Sequence, residues 1–400
     1  MTGATPRRPG RPGEVLAVFF GLGLRSFGGP VAHMGYFHDT FVRRRAWLDD
    51  ATFAQFMALS QMLPGPASSQ VGMAIGLLRA GPVGAVCAWL GFTLPSALAM
   101  LLLGLGISLA SPETLAPWLD GFEIAAFAIV AEAVWLMARS GCRDRLHILL
   151  ALAALACVLL LPGVTGQIAA ILLGAGVGAL FTGDSPWDTD RPLAPPLGRH
   201  FAFALLVLFA LLLLLLPLAA RSAGWPLLAL FDAFFRAGSL IFGGGHVVLP
   251  LLQGEIVGRG WVAPELFVAG YGAAQAVPGP LLSFAAYLGA VARPAGGVGG
   301  GIVALVAIFL PSLLLVLGTV PFLAELRRQP LVGRALSGVN AAVVGLLLAA
   351  LYDPVWQHAV EDRTDFVLAA TAFAARRFFA APTLALVAAC ALAGALRGAF

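Results

Sequence analysis

The sequence predicts an all-α integral membrane protein of two inverted-topology repeats, with about 10–13 transmembrane helices, some broken at Gly/Pro motifs. Three observations predict it. Hydrophobic residues fill 60% of the 400 positions and charged ones 11%, with a mean hydropathy of +0.92, whereas soluble domains carry charge on roughly a quarter of theirs. Apolar runs such as 146–161, 201–220 and 339–351 approach the ~20 residues that a helix needs to cross a hydrocarbon core, and no alternating pattern suggests a barrel. The chain also repeats itself. Phe19 to Pro30 (FFGLGLRSFGGP) returns as Phe234 to Gly245 (FFRAGSLIFGGG), and Gln61-Met-Leu-Pro-Gly-Pro66 returns as Gln275-Ala-Val-Pro-Gly-Pro280. Trp47 meets Trp261, and Leu94-Pro-Ser96 meets Leu310-Pro-Ser312, so every landmark moves by 214 to 216 residues. Paired units with Gly and Pro inside apolar stretches are the signature of a secondary transporter with broken helices at its centre.

Taken in order, residues 1–13 are polar and rich in Arg, Pro and Gly, and read as a retained cytoplasmic tail because no small-residue cleavage site follows the next apolar run. The first repeat, 14–182, has apolar stretches near 15–33, 52–78, 82–110, 118–138, 145–162 and 165–182. A linker over 183–228 holds one further stretch near 200–221. The second repeat, 229–400, continues with stretches near 229–252, 263–291, 296–322, 332–352, 364–380 and 382–399. Loop arginines favour an inside N-terminus, with Arg43, Arg44 and Arg45 as the exception. Either that cluster has a role outside, or the first segment is a re-entrant hairpin. Seven stretches separate the starts of the two repeats, which makes them face opposite ways.

Composition also excludes. All 24 cations are Arg and form no basic stripe, so nucleic acid is not a partner. The four cysteines are scattered without metal-ligand spacing, and neither a metal nor a cofactor is expected. No P-loop, GxSxG or HExxH occurs, so no enzyme activity is expected. The partners are the lipid bilayer and a small anion, with a homodimer left open as the assembly.

The candidate site residues sit at the breaks. Gly28-Gly29-Pro30 interrupts an apolar helix, because glycine loosens the turn and proline removes a donor. Irregular backbone at depth is tolerated only when buried or lining a cavity, and a half-helix N-terminus there attracts anions. Gly243-Gly244-Gly245 repeats the device. Pro64-Gly65-Pro66 and Pro278-Gly279-Pro280 form the second break, and Ser68, Ser69 and Gln70 offer donors beside the first copy. Arg25 lies a turn before its break, and Arg236 aligns one helical turn from it. An Arg fork suits a tetrahedral dianion, although a snorkelling arginine at a helix end reads the same. His33 flanks the first break. Glu123, Glu132 and Asp232 are carboxylates in apolar helices, either in structural ion pairs or carrying a coupling ion. Glu132 is the deepest, with Arg25 or Arg236 as its expected partner.

The runs Ser26-Phe-Gly-Gly-Pro-Val-Ala-His-Met-Gly-Tyr36, Arg44-Arg-Ala-Trp-Leu48, Ala58 to Gln70, Arg79-Ala-Gly81 and Leu94-Pro-Ser96 resemble the chromate ion transporter family in its long, fused form. The resemblance covers nearly the whole chain. It implies chromate efflux across the bacterial inner membrane, with sulfate as the structural analogue, and functional positions at Arg25, Gly28 to Pro30, His33, Trp47 and Pro64 to Gln70. The second copy departs from this pattern, with Gly245 for the proline, Leu240 for Arg25 and Phe284 for Gln70. A general sulfate or oxyanion permease is the nearest alternative, and a membrane scaffold or a channel is the alternative of another class.

Overall fold

The computed structural model describes residues 10–27, 29–109, 112–161, 164–182, 197–242, 247–323, 325 and 329–397. Among them the regular structure is helical, and no strand occurs. The first repeat opens with short helices: α1 (Pro12–Gly23), α2 (Gly29–Phe37, prolonged by a π turn His38–Arg44), α3 (Asp50–Met62) and α4 (Ala67–Leu109). Proline at its first position starts α1. The Asp49 carboxylate caps α3 by accepting the Thr52 N–H at 2.8 Å.

These helices fold back in pairs. Phe19 of α1 stacks on Phe41 at 4.9 Å and meets Phe37 edge-on at 5.6 Å, while Glu14 at the start of α1 lies 3.8 Å from Arg45, just past the π turn. The chain therefore enters and leaves this pair at one end. Inside α4 the helix reverses at Ala80 and Gly81, the latter at φ 68. Its limbs, 67–79 and 82–109, approach so closely that a Cβ on Gly76 would strike the Gly84 backbone. Arg79 at the reversal sits 3.2 Å from Glu14 and 5.0 Å above the Trp47 ring. Two expectations are corrected by this geometry. The stretches 15–33 and 52–78 are pairs of half-length helices rather than single spans, and Arg45 shares its end with the start of α1 instead of lying opposite it.

Helices α5 (Pro112–Gly141), α6 (Arg145–Leu160), α7 (Val164–Phe181) and α8 (Arg199–Ala223) follow. The second repeat comprises α9 (Pro226–Ser239), α10 (Val248–Leu252, prolonged by a π turn Gln253–Val257), α11 (Pro264–Ala274), α12 (Phe284–Val291), α13 (Gly297–Thr319), α14 (Pro330–Ala350), α15 (Arg363–Phe378) and α16 (Thr383–Arg397). Among the described residues, helices 117–141, 199–223, 297–322 and 330–359 are long and apolar enough to cross a membrane, and the folded-back α4 lies in a fifth apolar stretch, 67–107. The protein is membrane-embedded. Helix α8, with a mean hydropathy of 3.0, buries least of itself in the protein, as a lipid-facing helix should.

The repeats exchange elements. The α6–α7 pair packs on α14 of the second repeat, and the α15–α16 pair packs on α5 of the first. Lipid removes the hydrophobic drive between helices, so small residues that let backbones close are what hold them. Gly174 and Gly178 meet Gly338 at the first of these interfaces, and Gly121 meets Gly394 at the second.

Candidate functional site

The breaks of one repeat are braced by the breaks of the other. The Gly65 N–H donates to the Ile241 carbonyl at 2.6 Å, and the Gly279 N–H donates to the Ser26 carbonyl at 2.9 Å. Ser26 and Ile241 are repeat equivalents, as are Gly65 and Gly279, so one hydrogen bond is made twice with the partners exchanged. Backbone groups freed by the proline breaks must be satisfied inside the protein, and here each repeat satisfies the other. Both glycines adopt positive φ, 130 at Gly65 and 111 at Gly279, which side-chain-bearing residues rarely reach. A Cβ on Gly65 would meet Ser312 Oγ, and one on Gly279 would lie 2.8 Å from Ser96 Oγ, again an equivalent pair.

Beside the second of these braces lies a cavity of about 560 Å³. Gly29 and Pro30 at the start of α2, Thr383 at the start of α16, Gln275 at the end of α11, Gly279, Glu132 of α5 and Arg376 of α15 line it. Two helix N-termini thus border one cavity, each carrying partial positive charge. Glu132 and Arg376 are its only charged lining residues among those described. Arg376 Nε donates to Glu132 Oε2 at 2.6 Å and Nη1 donates to the Ala381 carbonyl at 2.9 Å. No partner among the described residues takes Nη2, and the Gln275 side chain hydrogen-bonds the buried Tyr271 hydroxyl. Chemically the cavity offers a guanidinium held at two nitrogens and open at the third, together with two helix N-termini. That is a donor set for a small oxyanion.

Of the residues singled out from the sequence, Gly29, Pro30, Gly279 and Glu132 come together here, with Pro278 and Pro280 flanking Gly279. Gly28, Gly243, Gly244 and Gly245 lie outside the described residues. The others are elsewhere. Arg25 is exposed at the end of α1. His33 of α2 is buried, edge-on to the Phe92 ring, and its Nε2 shares the Ser26 carbonyl at 3.1 Å. Pro64, Gly65 and Pro66 form the other brace, and Gln70 Nε2 donates to the Pro64 carbonyl at 2.7 Å, with Ser68 and Ser69 buried alongside. Arg236 is held between Asp232 (2.9 Å) and Glu255, which Arg259 also reaches at 2.8 Å. Glu123 is buried toward the other end of α5, facing Asp120, Glu265, Glu361 and Asp365. The expected pairing of Glu132 with Arg25 or Arg236 is therefore corrected: its partner is Arg376, 244 positions along the chain.

Sequence reasoning missed Arg376, Gln275 and Thr383 as lining residues. A signal existed for one of them: Gln275 heads the second copy of the Gln-x-x-Pro-Gly-Pro motif.

Half-length helices meeting at glycine breaks around a cavity that holds one part-buried ion pair are the architecture of a polytopic membrane transporter. The chain belongs to the chromate transporter family, which it matches twice, over residues 13–179 and 228–395. It is similar to a chromate transport protein of Cupriavidus metallidurans, at 30% identity over 354 residues covering 84% of this chain and 81% of the relative. It is similar as well to a chromate transport protein of Pseudomonas aeruginosa, at 29% over 359 residues (85% and 80%). An uncharacterized transporter of Bacillus subtilis aligns with a single portion, 32% identical over 130 residues, 32% of this chain and 69% of the relative. No solved structure matches the chain.

Proposed function

We propose that this protein is a secondary transporter that exports chromate across a bacterial inner membrane. The oxo-dianion sits in the cavity between the start of α2 and the end of α11, against Arg376 Nη2, Gln275 and the α2 and α16 N-termini. The observation that carries this reading is the Arg376 guanidinium: it is fixed at two nitrogens, open at the third, and placed in a cavity bordered by two helix N-termini. Family membership supports chromate as substrate, and sulfate, of the same shape and charge, competes for the same donors.

The repeats, 14–182 and 229–400, are related by inversion, with residues 183–228 linking them. The exchanged hydrogen bonds at Gly65 and Gly279 support a two-fold relation between the repeats, since contacts that recur with partners swapped are what such a relation generates. Inversion supplies alternating access: two copies of one arrangement trade conformations, so one side closes as the other opens. A cytoplasmic N-terminus is supported by Arg45 lying beside Glu14, which moves the one exception to the arginine bias onto the N-terminal side.

Chromate accumulation in energised everted membrane vesicles tests the proposal. Uptake that excess sulfate suppresses is the expected result. Uptake confined to right-side-out vesicles would overturn the direction, and none in either orientation would overturn the function.

A further inference from the structure

We propose that Glu132 occupies, in the empty protein, the place that an oxyanion takes on Arg376, and that each dianion therefore binds together with one proton on Glu132. The inference rests on the cavity being the oxyanion site.

Three features of the cavity lead to it. Glu132 already makes the kind of bond that a tetrahedral oxyanion would make, a carboxylate oxygen 2.6 Å from Arg376 Nε. The pair brings the lining charge to zero, because no other charged residue lines the cavity among those described. The third feature is solvation: both side chains are largely withdrawn from solvent, 15% exposed at Glu132 and 24% at Arg376, so charges there are weakly screened.

Consider a dianion entering. With Glu132 ionised, the cavity would hold a net charge of −2, with a carboxylate and an oxyanion competing for one guanidinium. With Glu132 protonated, the carboxyl turns from acceptor into donor, Arg376 Nε is released to the oxyanion, and the net charge is −1. The protonated state is the one that accommodates the dianion. When the dianion leaves, the proton leaves too, and the pair closes again to a neutral cavity, which lets the empty carrier return without exposing an uncompensated cation.

The other charges on helices around α5 do not enter this exchange. Glu265 of α11, Asp365 of α15 and Glu361 group with Asp120 and Glu123 instead, and Arg397 of α16 is held by Asp362 and Asp365. Arg377, next to Arg376, lies over the Trp135 ring at 5.9 Å.

The test is calorimetric titration of the full chain in lipid nanodiscs with sodium sulfate, which stays a dianion across the range used, in two buffers of different ionisation enthalpy. Wild type is expected to take up about one proton per sulfate, with affinity falling about tenfold per pH unit once the carboxyl is ionised. Glu132→Gln is expected to take up none and to bind independently of pH, as tightly as wild type does at acid pH. Sulfate binding to wild type without proton uptake overturns the linkage, and that measurement needs no variant. Equal proton uptake in Glu132→Gln overturns the assignment to Glu132. Arg376→Ala separates the two readings. If it binds sulfate as wild type does, the cavity is not the oxyanion site and both proposals fall. If it loses binding while the wild-type proton count is zero, only the linkage falls.

Discussion

Arg236 and Arg376 are both arginines packed among helices, yet their surroundings differ in kind. Arg236 faces two carboxylates: Nε and Nη2 bond to Asp232 at 3.1 and 2.9 Å, and both terminal nitrogens bond to Glu255. With Arg259 also on Glu255, two cations meet two anions and every edge of the Arg236 guanidinium is used. Arg376 has one carboxylate, one carbonyl and an open nitrogen in a cavity. A saturated guanidinium ties α9 to the π turn after α10, whereas an unsaturated one is available to a ligand. Position in an apolar helix does not separate the two roles. The count of filled donors does.

Breaking this comparison should give the largest effects. Arg376→Ala removes the only cation lining the cavity among the described residues, and chromate transport is expected to fall by two orders of magnitude or more, about 3 kcal/mol or above at 1.4 kcal/mol per tenfold. The rate of uptake per folded protein, with folded protein read by fluorescence-detected size exclusion, checks it. Arg236→Ala should fail differently. It strands Asp232, 3% exposed, and leaves Glu255 to Arg259 alone, and breaking a buried pair costs roughly 3–5 kcal/mol. Folded protein is expected to drop steeply, while the fraction that survives keeps the wild-type affinity for chromate. A weakened affinity with normal folding would place Arg236 in the transport path after all.

The two braces allow a finer contrast. At Gly65 an added Cβ would run into Ser312 Oγ and lie 2.6 Å from Gln70 Nε2, while at Gly279 its nearest neighbour is Ser96 Oγ at 2.8 Å. Positive φ burdens both with roughly 1–3 kcal/mol, and overpacking adds roughly 1–3 kcal/mol. Gly65→Ala should therefore impair transport more than Gly279→Ala. Ser96→Gly is expected to restore part of the activity of Gly279→Ala by removing the nearest obstacle. Equal defects would mean that backbone strain alone, and not side-chain crowding, sets the cost.

The same contrast shows what the sequence could reveal. Paired Gly/Pro motifs at one spacing announce the breaks, because few other residues leave a helix at that depth. That each break is held by its opposite number could not be read, since the hydrogen bond from Gly279 to Ser26 joins backbone atoms that carry no residue signature. Likewise, α1 and α2 look like one span over 15–33, as apolar content is continuous while the fold-back depends on Phe19 meeting Phe41. Within the site, Glu132 stood out as a carboxylate in an apolar helix. Arg376 did not, because an arginine in the last turn of a helix equally suits a snorkelling or loop residue, and only the tertiary contact with α5 turns it inward.

The smallest expected effect lies at the starts of α3 and α11, which are repeat equivalents capped differently. Asp49 accepts the Thr52 N–H at 2.8 Å, whereas its counterpart Ala263 has no capping oxygen and α11 begins on Pro264. Proline at the first position needs no hydrogen-bond partner for a missing N–H, yet the donors of the next positions remain uncapped. Asp49→Ala should cost about 1 kcal/mol and Ala263→Ser should contribute about 0.5 kcal/mol, read as opposite shifts in thermal unfolding in detergent, with transport unchanged in both. A transport defect in Asp49→Ala at normal stability would show that the end of the molecule carrying Glu14, Arg45 and Arg79 takes part in the cycle rather than merely anchoring the half-helices.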